Sequence, residues 1–470
     1  MARGINLQSF GAAGEVTGSK HLLTLPDGTR LLLDCGEFQG RRADAAAKNR
    51  EFPFPPEQIA AVLLSHGHLD HCGSLPMLVK QGFDGTVHAT AATRDIAGLI
   101  MRDAAHIMQK DYEWLLKKES GKQAYPPLYD DNDVVRTLEQ MESHGYRRPF
   151  EVVPGVTAEF FNSGHILGSA MIVLTVTQGG GDPLKIAFTG DLGRHGLPII
   201  SDPEPLPPVD YLICESTYGN RLHEPMDDAK QQLAEVIRET ARRGGKVIIP
   251  AFAVGRTQEL IYLLHLLKDE QAIPDLDILV DSPMAVNATA IFEAHPECYD
   301  EETRQAFLIH HQNPFGFNSL HYVTDVEESK RINSRLDPCI VISSSGMCEA
   351  GRILHHLKNN VGDPRHTILV VGFMAQNTLG RALADKRPVV KIFGNPYQVR
   401  ARVKILNTFS GHADWRDLTA FVGAMEVQRL RQVFLVHGET EALDSLRGHF
   451  QAAGIKAVTI SASAQAYPLA

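Results

Sequence analysis

The sequence contains no apolar run that approaches the roughly 20 residues needed to span a membrane. Its first residues, Met1 to Asn6, hold no apolar signal core, which argues against secretion. The six cysteines are scattered without paired spacing, a pattern that predicts reduced thiols and not a disulfide framework. Together these absences predict a cytoplasmic protein that has no membrane partner.

A surplus of basic residues is also missing. The formal net charge is −10, which lowers the expectation of a nucleic-acid-binding protein without excluding one, because a binding groove needs only local positive charge. With 470 residues, 43% of them apolar and 22% charged, the chain is long enough for two or three domains and has an ordinary globular composition. What the sequence does have in quantity is histidine, with 21 residues.

Short apolar runs that end in polar clusters predict how the chain is organised. Such runs are typical of buried strands, and α/β proteins place their sites at the carboxyl ends of these strands. Residues 101–145 are predicted to form a helical, highly charged, solvated insertion that is interrupted near Tyr125–Pro127. The predicted strands are Arg30–Leu33, Ile59–Leu64, Lys185–Phe188, Tyr211–Cys214, Lys246–Ile249, Ile340–Ile342, Thr367–Val371 and Val433–Val436.

The strongest chemical signal is a dense histidine and aspartate cluster that follows the second of these strands. Alternate residues of an extended loop point the same way, so His66 and His68 can bind one ion. Asp70 and His71 begin the next turn and can face a second ion. The alternative is a polar loop that holds three histidines by chance, and the density of the spacing argues against it.

More ligands are supplied by later strand ends, at His165, Asp191 and His437. Each of these alone is better explained by structural hydrogen bonding, but with the first cluster they complete two nearly filled metal shells. The other histidines are expected to form no second cluster, and the pair His355–His356 is expected on a helix surface. Cys72, beside the first cluster, is expected to be a buried thiol.

The order of these residues resembles the metallo-β-lactamase superfamily, in which Asp34 at a strand end would support the site from behind the ligands. Three later motifs resemble motifs A, B and C of the β-CASP nuclease branch of that superfamily. They are Glu215–Gly219, Ser410–Asp414 and Val436–Glu439, and the stretches Pro250–Glu259 and Gly372–Arg381 also look like that branch.

The resemblance implies an architecture and a set of ligands. A four-layer αββα metallo-β-lactamase domain would comprise residues 1–214 and 399–470, with an α/β β-CASP domain inserted at 215–398. Two zinc ions per chain would be bound, and Asp191 would bridge them. One ion would be held by His66, His68, His165 and Asp191, and the other by Asp70, His71, His437 and Asp191.

The implied activity is that of a zinc-dependent ribonuclease acting on single-stranded RNA. A hydroxide generated between the two ions would attack phosphorus and leave a 5′-phosphate and a 3′-hydroxyl. The candidate catalytic residues are Asp70, His412 as the acid that protonates the leaving oxygen, and Glu215 as the carboxylate that orients His412.

Candidate substrate-binding residues lie in the predicted insertion. Ser344 and Ser345 precede a helix expected to begin near Glu349, where backbone N–H groups can face phosphate. The predicted phosphate contacts also include Thr378, Arg381 and Arg256. For the two serines, Thr378 and Arg381, the alternative is ordinary turn and cap chemistry. For Arg256, the alternative is a simple ion pair.

Three other functions compete with this one. A small-molecule metallo-hydrolase of the same superfold is disfavoured by the β-CASP motifs, and an RNA-binding scaffold subunit by the complete ligand set. A β-CASP DNA nuclease is disfavoured because motif C usually carries valine in that branch, whereas this chain has His437. Endonuclease and 5′-exonuclease action both stay open, as does a homodimer.

Overall fold

The computed structural model describes residues 4–40, 45, 47–117, 125–177, 182–223, 226–309, 313–372, 374, 378–406 and 410–469. The chain divides into two compact units. The first unit comprises Met1–His195, Asp202–Leu222 and Gly411–Ala470, and the second comprises Gly196–Ser201 and His223–Ser410. The predicted domain ranges are 1–214, 215–398 and 399–470, and they stay a prediction. The compact units have different boundaries, at Leu222 and at Ser410.

The first unit contains two seven-stranded sheets. The first sheet has the order Ala466–Leu469, Ile5–Gly11, Lys20–Thr24, Arg30–Leu33, Ile59–Leu63, Thr86–Ala89, Met141–Ser143. The second sheet has the order Val458–Ile460, Gln432–Leu435, Tyr211–Cys214, Leu184–Phe188, Ala170–Val176, Val156–Asn162, Phe150–Val153. In each sheet one part is parallel and the other antiparallel.

The two sheets pack face to face because alternate strand residues are apolar on the inner side. Leu31 and Leu63 of the first sheet share one core with Ile172 and Phe188 of the second. The opposite face of the second sheet packs against two helices, Trp415–Gly423 and Thr440–Ala452, in a separate core.

The opposite face of the first sheet is also covered, since Leu32 and Val62 on that face are fully buried. The long helix Ala91–Lys117 contacts the edge strand Met141–Ser143 of that sheet. The predicted order of layers, helix, sheet, sheet, helix, is therefore present. Further helices in the described part of this unit are Pro56–Gln58 (a 3-10 helix), Leu69–Cys72, Leu75–Lys80 and Asp131–Glu139, and residues 45 and 47–48 are also helical.

The second unit is built on a parallel six-stranded sheet. Its strand order is Leu320–Tyr322, Asp277–Val280, Cys339–Ser343, Val247–Pro250, Thr367–Val371, Arg402–Leu406, and a separate hairpin pairs Val389–Ile392 with Asn395–Gln398. The helices among its described residues are Met226–Arg242, Arg256–Asp269, Pro283–Ala294, Pro296–Cys298 (3-10), Glu301–Arg304, Gln305–Ile309 (a π-helix), Val326–Ser334, Ile353–Asn360 and Leu379–Ala384.

The eight predicted strands are all present, each within about two residues of its predicted bounds. The prediction for residues 101–145 is wrong in one respect. Two helices are there, but Met141–Ser143 is a strand of the first sheet and not part of a solvated insertion. Residues 118–124, inside this segment, lie outside the described part of the chain.

All six cysteines are buried free thiols, and Cys72 is among them as predicted. Among the described residues, the structure holds no helix that is both long enough and apolar enough to cross a membrane.

Candidate metal centre

The predicted ligand loop follows the strand Ile59–Leu63 in the first unit. His66 is fully buried, and the short helix Leu69–Cys72 begins directly after His68. The loop packs tightly against Gly36, where a Cβ atom would lie 1.5 Å from the carbonyl oxygen of Asp70. Only glycine fits that close approach of two backbones, so this residue helps to fix the position of the loop.

One group of four donors surrounds His68. Its Nδ1 lies 3.1 Å from Nε2 of His66 and 3.3 Å from Nε2 of His165. Oδ2 of Asp191 is 3.5 Å from each of those two Nε2 atoms. The four residues each offer one atom, and these atoms all lie within 4.8 Å of one another.

A second group lies on the other side of Asp191. Nε2 of His71 is 3.2 Å from Nε2 of His437, which in turn is 3.8 Å from Oδ2 of Asp70. Oδ1 of Asp191 is 3.4 Å from Nε2 of His71, so the two oxygens of this carboxylate face different groups. The structure thus brings all seven predicted metal ligands together in two adjoining sets, and Asp191 of the first set reaches toward His71 of the second.

Hydrogen bonds behind the imidazoles determine which nitrogen faces each set. Nδ1 of His71 is 2.6 Å from Oδ2 of Asp34, and Nδ1 of His437 is 3.0 Å from Oγ1 of Thr217. Nδ1 of His165 is 3.2 Å from the carbonyl oxygen of Gly411. A nitrogen that donates behind the ring leaves a lone pair on the opposite nitrogen, so Nε2 of each ring is available to an ion.

The backbone is strained at two of these positions. Asp34 has a φ of 58° and His437 a φ of 50°, in the left-handed region that residues other than glycine seldom adopt. Each follows a strand directly or within two residues, Arg30–Leu33 and Gln432–Leu435. Strain of this kind costs of the order of 1–3 kcal/mol and is concentrated at functional sites.

The electrostatics of the centre favour a cation. Burial alone would raise the pKa of Asp191, but the charges of the surrounding imidazoles, His437 first, hold it well below its ordinary value. Burial lowers the pKa of His66 and His165 well below the ordinary value and that of His68 to about 4, so these rings are neutral, as ligands must be. Burial opposes a charge on His71, yet Asp191 and Asp34 raise its pKa well above the ordinary value.

The donors fit a pair of divalent ions. Two ligands of a tetrahedral zinc ion with bonds of 2.0–2.1 Å lie about 3.3 Å apart, and the closest nitrogen pairs here are 3.1–3.3 Å apart. Within the described part of the chain, Oδ1 of Asp191 is buried and has no hydrogen-bond partner. A buried carboxylate oxygen left in this state is costly unless a cation binds it.

His412 and Glu215, the predicted acid and its partner, lie beside this centre. Nδ1 of His412 is 3.2 Å from Oε1 of the fully buried Glu215 and 3.8 Å from Oδ2 of Asp191. Glu215 is itself held by the backbone N–H groups of Leu192 and Thr217, at 2.6 and 3.2 Å. Burial acts to lower the pKa of His412, but Glu215 and Asp191 outweigh it and raise the pKa to about 9.

Three family models match the chain: the metallo-beta-lactamase superfamily at residues 17–158, the Beta-Casp domain at 257–383 and the Zn-dependent metallo-hydrolase RNA specificity domain at 396–460. The chain is 37% identical over 442 residues to ribonuclease TTHA0252 of Thermus thermophilus, covering 93% of this chain and 94% of that protein. It is 33% identical over 450 residues to transcription termination factor FttA of Methanosarcina mazei, covering 93% of this chain and 67% of that factor.

This chain belongs to the β-CASP branch of the metallo-β-lactamase superfamily. The predicted family, the fold class and the enzyme class, a metal-dependent nuclease-type hydrolase, are thereby confirmed.

The predicted substrate contacts of the β-CASP domain lie in the second unit. Oγ of Ser344 is 2.7 Å from Oγ of Ser282, and Oγ of Ser345 accepts the backbone N–H groups of Glu349 and Ala350 at 3.2 and 3.3 Å. The helix expected to begin near Glu349 begins at Ile353 instead, because a turn closed by Ser345 precedes it.

Thr378 and Arg381 also take part in local structure of the β-CASP domain. Thr378 caps the helix Leu379–Ala384 by accepting the N–H of Arg381, whose guanidinium pairs with Asp385 at 2.8 Å. Arg256 pairs with Glu259, the ion pair that was the alternative to a substrate contact. A phosphate contact of any of these residues stays a prediction, and residues 373 and 375–377 of the related motif lie outside the described residues.

Two expectations about other histidines are wrong. His355 is exposed on its helix as predicted, but its neighbour His356 is fully buried, with Nε2 2.6 Å from Oδ2 of Asp281. A second cluster does exist, formed by His88, Glu142 and His144. Glu142 and His144 alternate, which is the signal for a strand, but the charged composition of residues 101–145 predicts a helical insertion there.

Proposed function

We propose that this chain is a zinc-dependent ribonuclease that hydrolyses phosphodiester bonds of single-stranded RNA and leaves 5′-phosphate and 3′-hydroxyl ends. The observation that carries the proposal is a pair of adjoining donor sets with Asp191 between them and with His412 and Glu215 beside them. This combination suits a nuclease, because neutralisation of a phosphate and protonation of a leaving oxygen can then occur at the same place.

The relatives support RNA as the substrate class. One of them is named a ribonuclease and covers almost the whole chain, and the model of an RNA specificity domain matches residues 396–460. That match contains His437, the residue that resembles the RNA branch at motif C. A DNA nuclease of the same family is the alternative that the substrate experiment below excludes or supports.

The chain would hold two ions through the two donor sets. His66, His68 and His165 would bind one, Asp70, His71 and His437 the other, and Asp191 both. Imidazole and carboxylate donors of this kind suit zinc, and structural partners such as Asp34 fix the rings in the ligating tautomer. When bound, two such ions neutralise phosphate charge and make water a stronger nucleophile near neutral pH.

The residues of the chain would then handle the leaving group. Hydrolysis breaks the bond between phosphorus and the 3′ oxygen, and that oxygen must gain a proton. Glu215 accepts Nδ1–H of His412, which directs Nε2 of that ring away from the carboxylate as the proton donor. Glu215 also favours the charged form of His412, so a proton is present when the bond breaks.

Further phosphate contacts of the RNA are proposed for the β-CASP domain. Backbone N–H groups near Ser344, Ser345 and Thr378, and the guanidinium groups of Arg256 and Arg381, are the proposed contacts. Ser345 and Thr378 accept backbone N–H groups with their hydroxyls, an arrangement that orders these turns before a ligand arrives.

His437→Ala tests the metal centre. The wild-type protein should retain two tightly bound zinc ions after dialysis, and the variant should retain about one and lose RNA cleavage, because one ion loses an imidazole. Elemental analysis and cleavage of a labelled RNA measure this, with the exposed His106→Ala as the matched control. Cleavage within about threefold of wild type, less than roughly 1 kcal/mol of barrier, would contradict the assignment.

His412→Ala tests the acid. Cleavage should fall by about 10²–10⁴ with both zinc ions retained, and Glu215→Gln should act the same way more mildly. On an RNA with sulfur at the scissile 3′ position the defect should shrink sharply, because sulfur leaves with little need of a proton. An equal defect on both substrates would show that His412 positions the phosphate instead.

The same RNA assay identifies substrate and mode. A matched DNA strand should be cut far more slowly than RNA, and equal rates would overturn the choice of RNA. With 5′-labelled and internally labelled RNA, mononucleotides from the 5′ end mean exonuclease action, and discrete internal fragments mean endonuclease action.

A further inference from the structure

Two histidines and a glutamate meet at the edge of the first sheet in a group that shares no residue with the proposed centre. His88 lies in the strand Thr86–Ala89, and Glu142 lies in the edge strand Met141–Ser143. His144 is the first residue after that edge strand. The strands are parallel, and His88 is registered opposite Glu142. Registered neighbours and alternate residues share a face of a sheet, so the three side chains lie on one face.

The donor atoms of the three residues converge. Nδ1 of His88 is 3.0 Å from Nε2 of His144, and that Nε2 is 3.9 Å from Oε1 of Glu142. All three residues offer an atom within 4.8 Å of the others. Because ligands of a tetrahedral zinc ion lie about 3.3 Å apart, the two rings need to separate by only a few tenths of an ångström. The carboxylate of Glu142, 62% exposed, can rotate to reach the ion.

The two rings are held rigidly by aromatic neighbours. His144 stacks flat on Phe150, with 3.5 Å between ring centroids and 4° between planes, and His88 lies 5.2 Å from the same ring. Phe150 in turn packs on Phe160 of the core between the sheets. Rings fixed in this way lose little freedom on binding, which favours a bound ion.

The protonation state of the rings also suits binding. Burial, with the neighbouring His144, lowers the pKa of His88 to about 4, and burial lowers the pKa of His144 as well. Both rings are therefore neutral at neutral pH, the form that binds metal. Without an ion, a single N–H shared between the two nitrogens explains the 3.0 Å distance, but it gives no role to Glu142.

We propose that His88, Glu142 and His144 bind a third divalent cation, for which zinc is the best chemical match. Two imidazoles and one carboxylate are a known zinc donor set, and water would complete the shell on the exposed side of Glu142. The ion would join the edge strand of the first sheet to its neighbour. With three protein donors, one of them exposed, it should bind more weakly than the ions of the main centre.

The test measures zinc stoichiometry of the full chain by titration with zinc alone, after removal of metal by a chelator. Wild type should bind one equivalent more than His144→Ala, and Glu142→Gln should weaken that equivalent at least tenfold. The matched controls are His106→Ala and Glu139→Gln, which change exposed residues of the same types. Since the comparison is between variant and control, its result does not depend on how many ions the main centre holds.

Cobalt supplies the second readout, because tetrahedral Co²⁺ bound through imidazoles absorbs visible light. The extra equivalent of Co²⁺ should give such absorption in wild type and in both controls, and lose it in His144→Ala. Glu142→Gln guards against a folding defect, since this side chain is mostly exposed. Equal zinc binding by Glu142→Gln and its control, or no additional equivalent in wild type, would overturn the proposal.

Discussion

Asp34→Asn tests how far the metal centre depends on a side chain that lies behind the proposed ligands. The carboxylate of Asp34 is fully buried. Its Oδ2 is 2.6 Å from Nδ1 of His71 and accepts Oγ of Ser65 at 2.9 Å, while Oδ1 accepts the backbone N–H of Ser65 at 2.8 Å. Nδ1–H of His71 is thereby fixed, and Nε2 of His71 is left to bind an ion.

The magnitude follows from the number of acceptors. Asparagine has one acceptor oxygen where aspartate has two, so it satisfies either the N–H of Ser65 or Nδ1–H of His71. The other buried donor then faces an NH₂ group, at a cost of about 1–3 kcal/mol. If His71 instead moves its proton to Nε2, it stops being a ligand. Both outcomes lower the affinity of the centre for one ion by about 10–100-fold.

Competition with a chelator of known affinity measures this for each tightly bound zinc ion. We expect one of the two affinities to fall by about 10–100-fold, the other to change less, and RNA cleavage to recover when zinc is added. Asp84→Asn makes the same chemical change at an exposed site and serves as the control. Two affinities within threefold of wild type would refute the reasoning that Asp34 fixes the tautomer of His71.

Two further predictions concern stability. Burial would raise the pKa of Asp281, but hydrogen bonds from His356, Ser329 and Arg352 lower that pKa. The ionised carboxylate therefore contributes fully to the stability of the fold above the ordinary aspartate pKa near 3.9. This contribution is lost as the pH falls through the lowered pKa of the folded protein. Asp281→Asn should cost about 3 kcal/mol at pH 7 and flatten the acid limb of a plot of melting temperature against pH; an unchanged limb would contradict this. Gly36→Ala should cost about 1–3 kcal/mol and reduce the bound zinc, because its Cβ would collide with the backbone of Asp70; full zinc retention would contradict this.

Apart from the strand that leads to His165, the strands that carry the centre could be predicted because they are short and buried, and each has at least one parallel neighbour. In such a strand both faces are covered, so it appears in the sequence as a continuous apolar run, as in Tyr211–Cys214. The antiparallel strands Val156–Asn162 and Ala170–Val176 were missed, although both are largely buried. In the first of them, Thr157 and Glu159 interrupt the apolar run. Met141–Ser143 was missed because three residues are too short to show any period.

Ligand identity could be predicted where spacing is local, and only the fold could supply the rest. The alternating positions of His66 and His68 indicate a shared ligand site. In contrast, His71 and His437 are 366 residues apart in the sequence, and their Nε2 atoms lie 3.2 Å apart in the structure. The backbone carbonyl of Gly411 and the hydroxyl of Thr217 orient two of the rings, and although both residues lie in the β-CASP motifs, the sequence does not show which rings they contact. The same holds for His88 and His144, 56 residues apart on neighbouring strands.

Charge explains why these residues tolerate one another in a buried site. Four carboxylates, those of Asp34, Asp70, Asp191 and Glu215, lie among the imidazoles, and all but Asp70 are buried. In the protein alone, protons supply the compensating charge: Asp191 and Asp34 raise the pKa of His71 against the effect of burial. Because one nitrogen cannot carry a proton and bind an ion together, bound cations would take over this role. Two divalent ions, together with the charged His412, would more than offset the four carboxylates, so the metal proposed for catalysis would also stabilise the site that binds it.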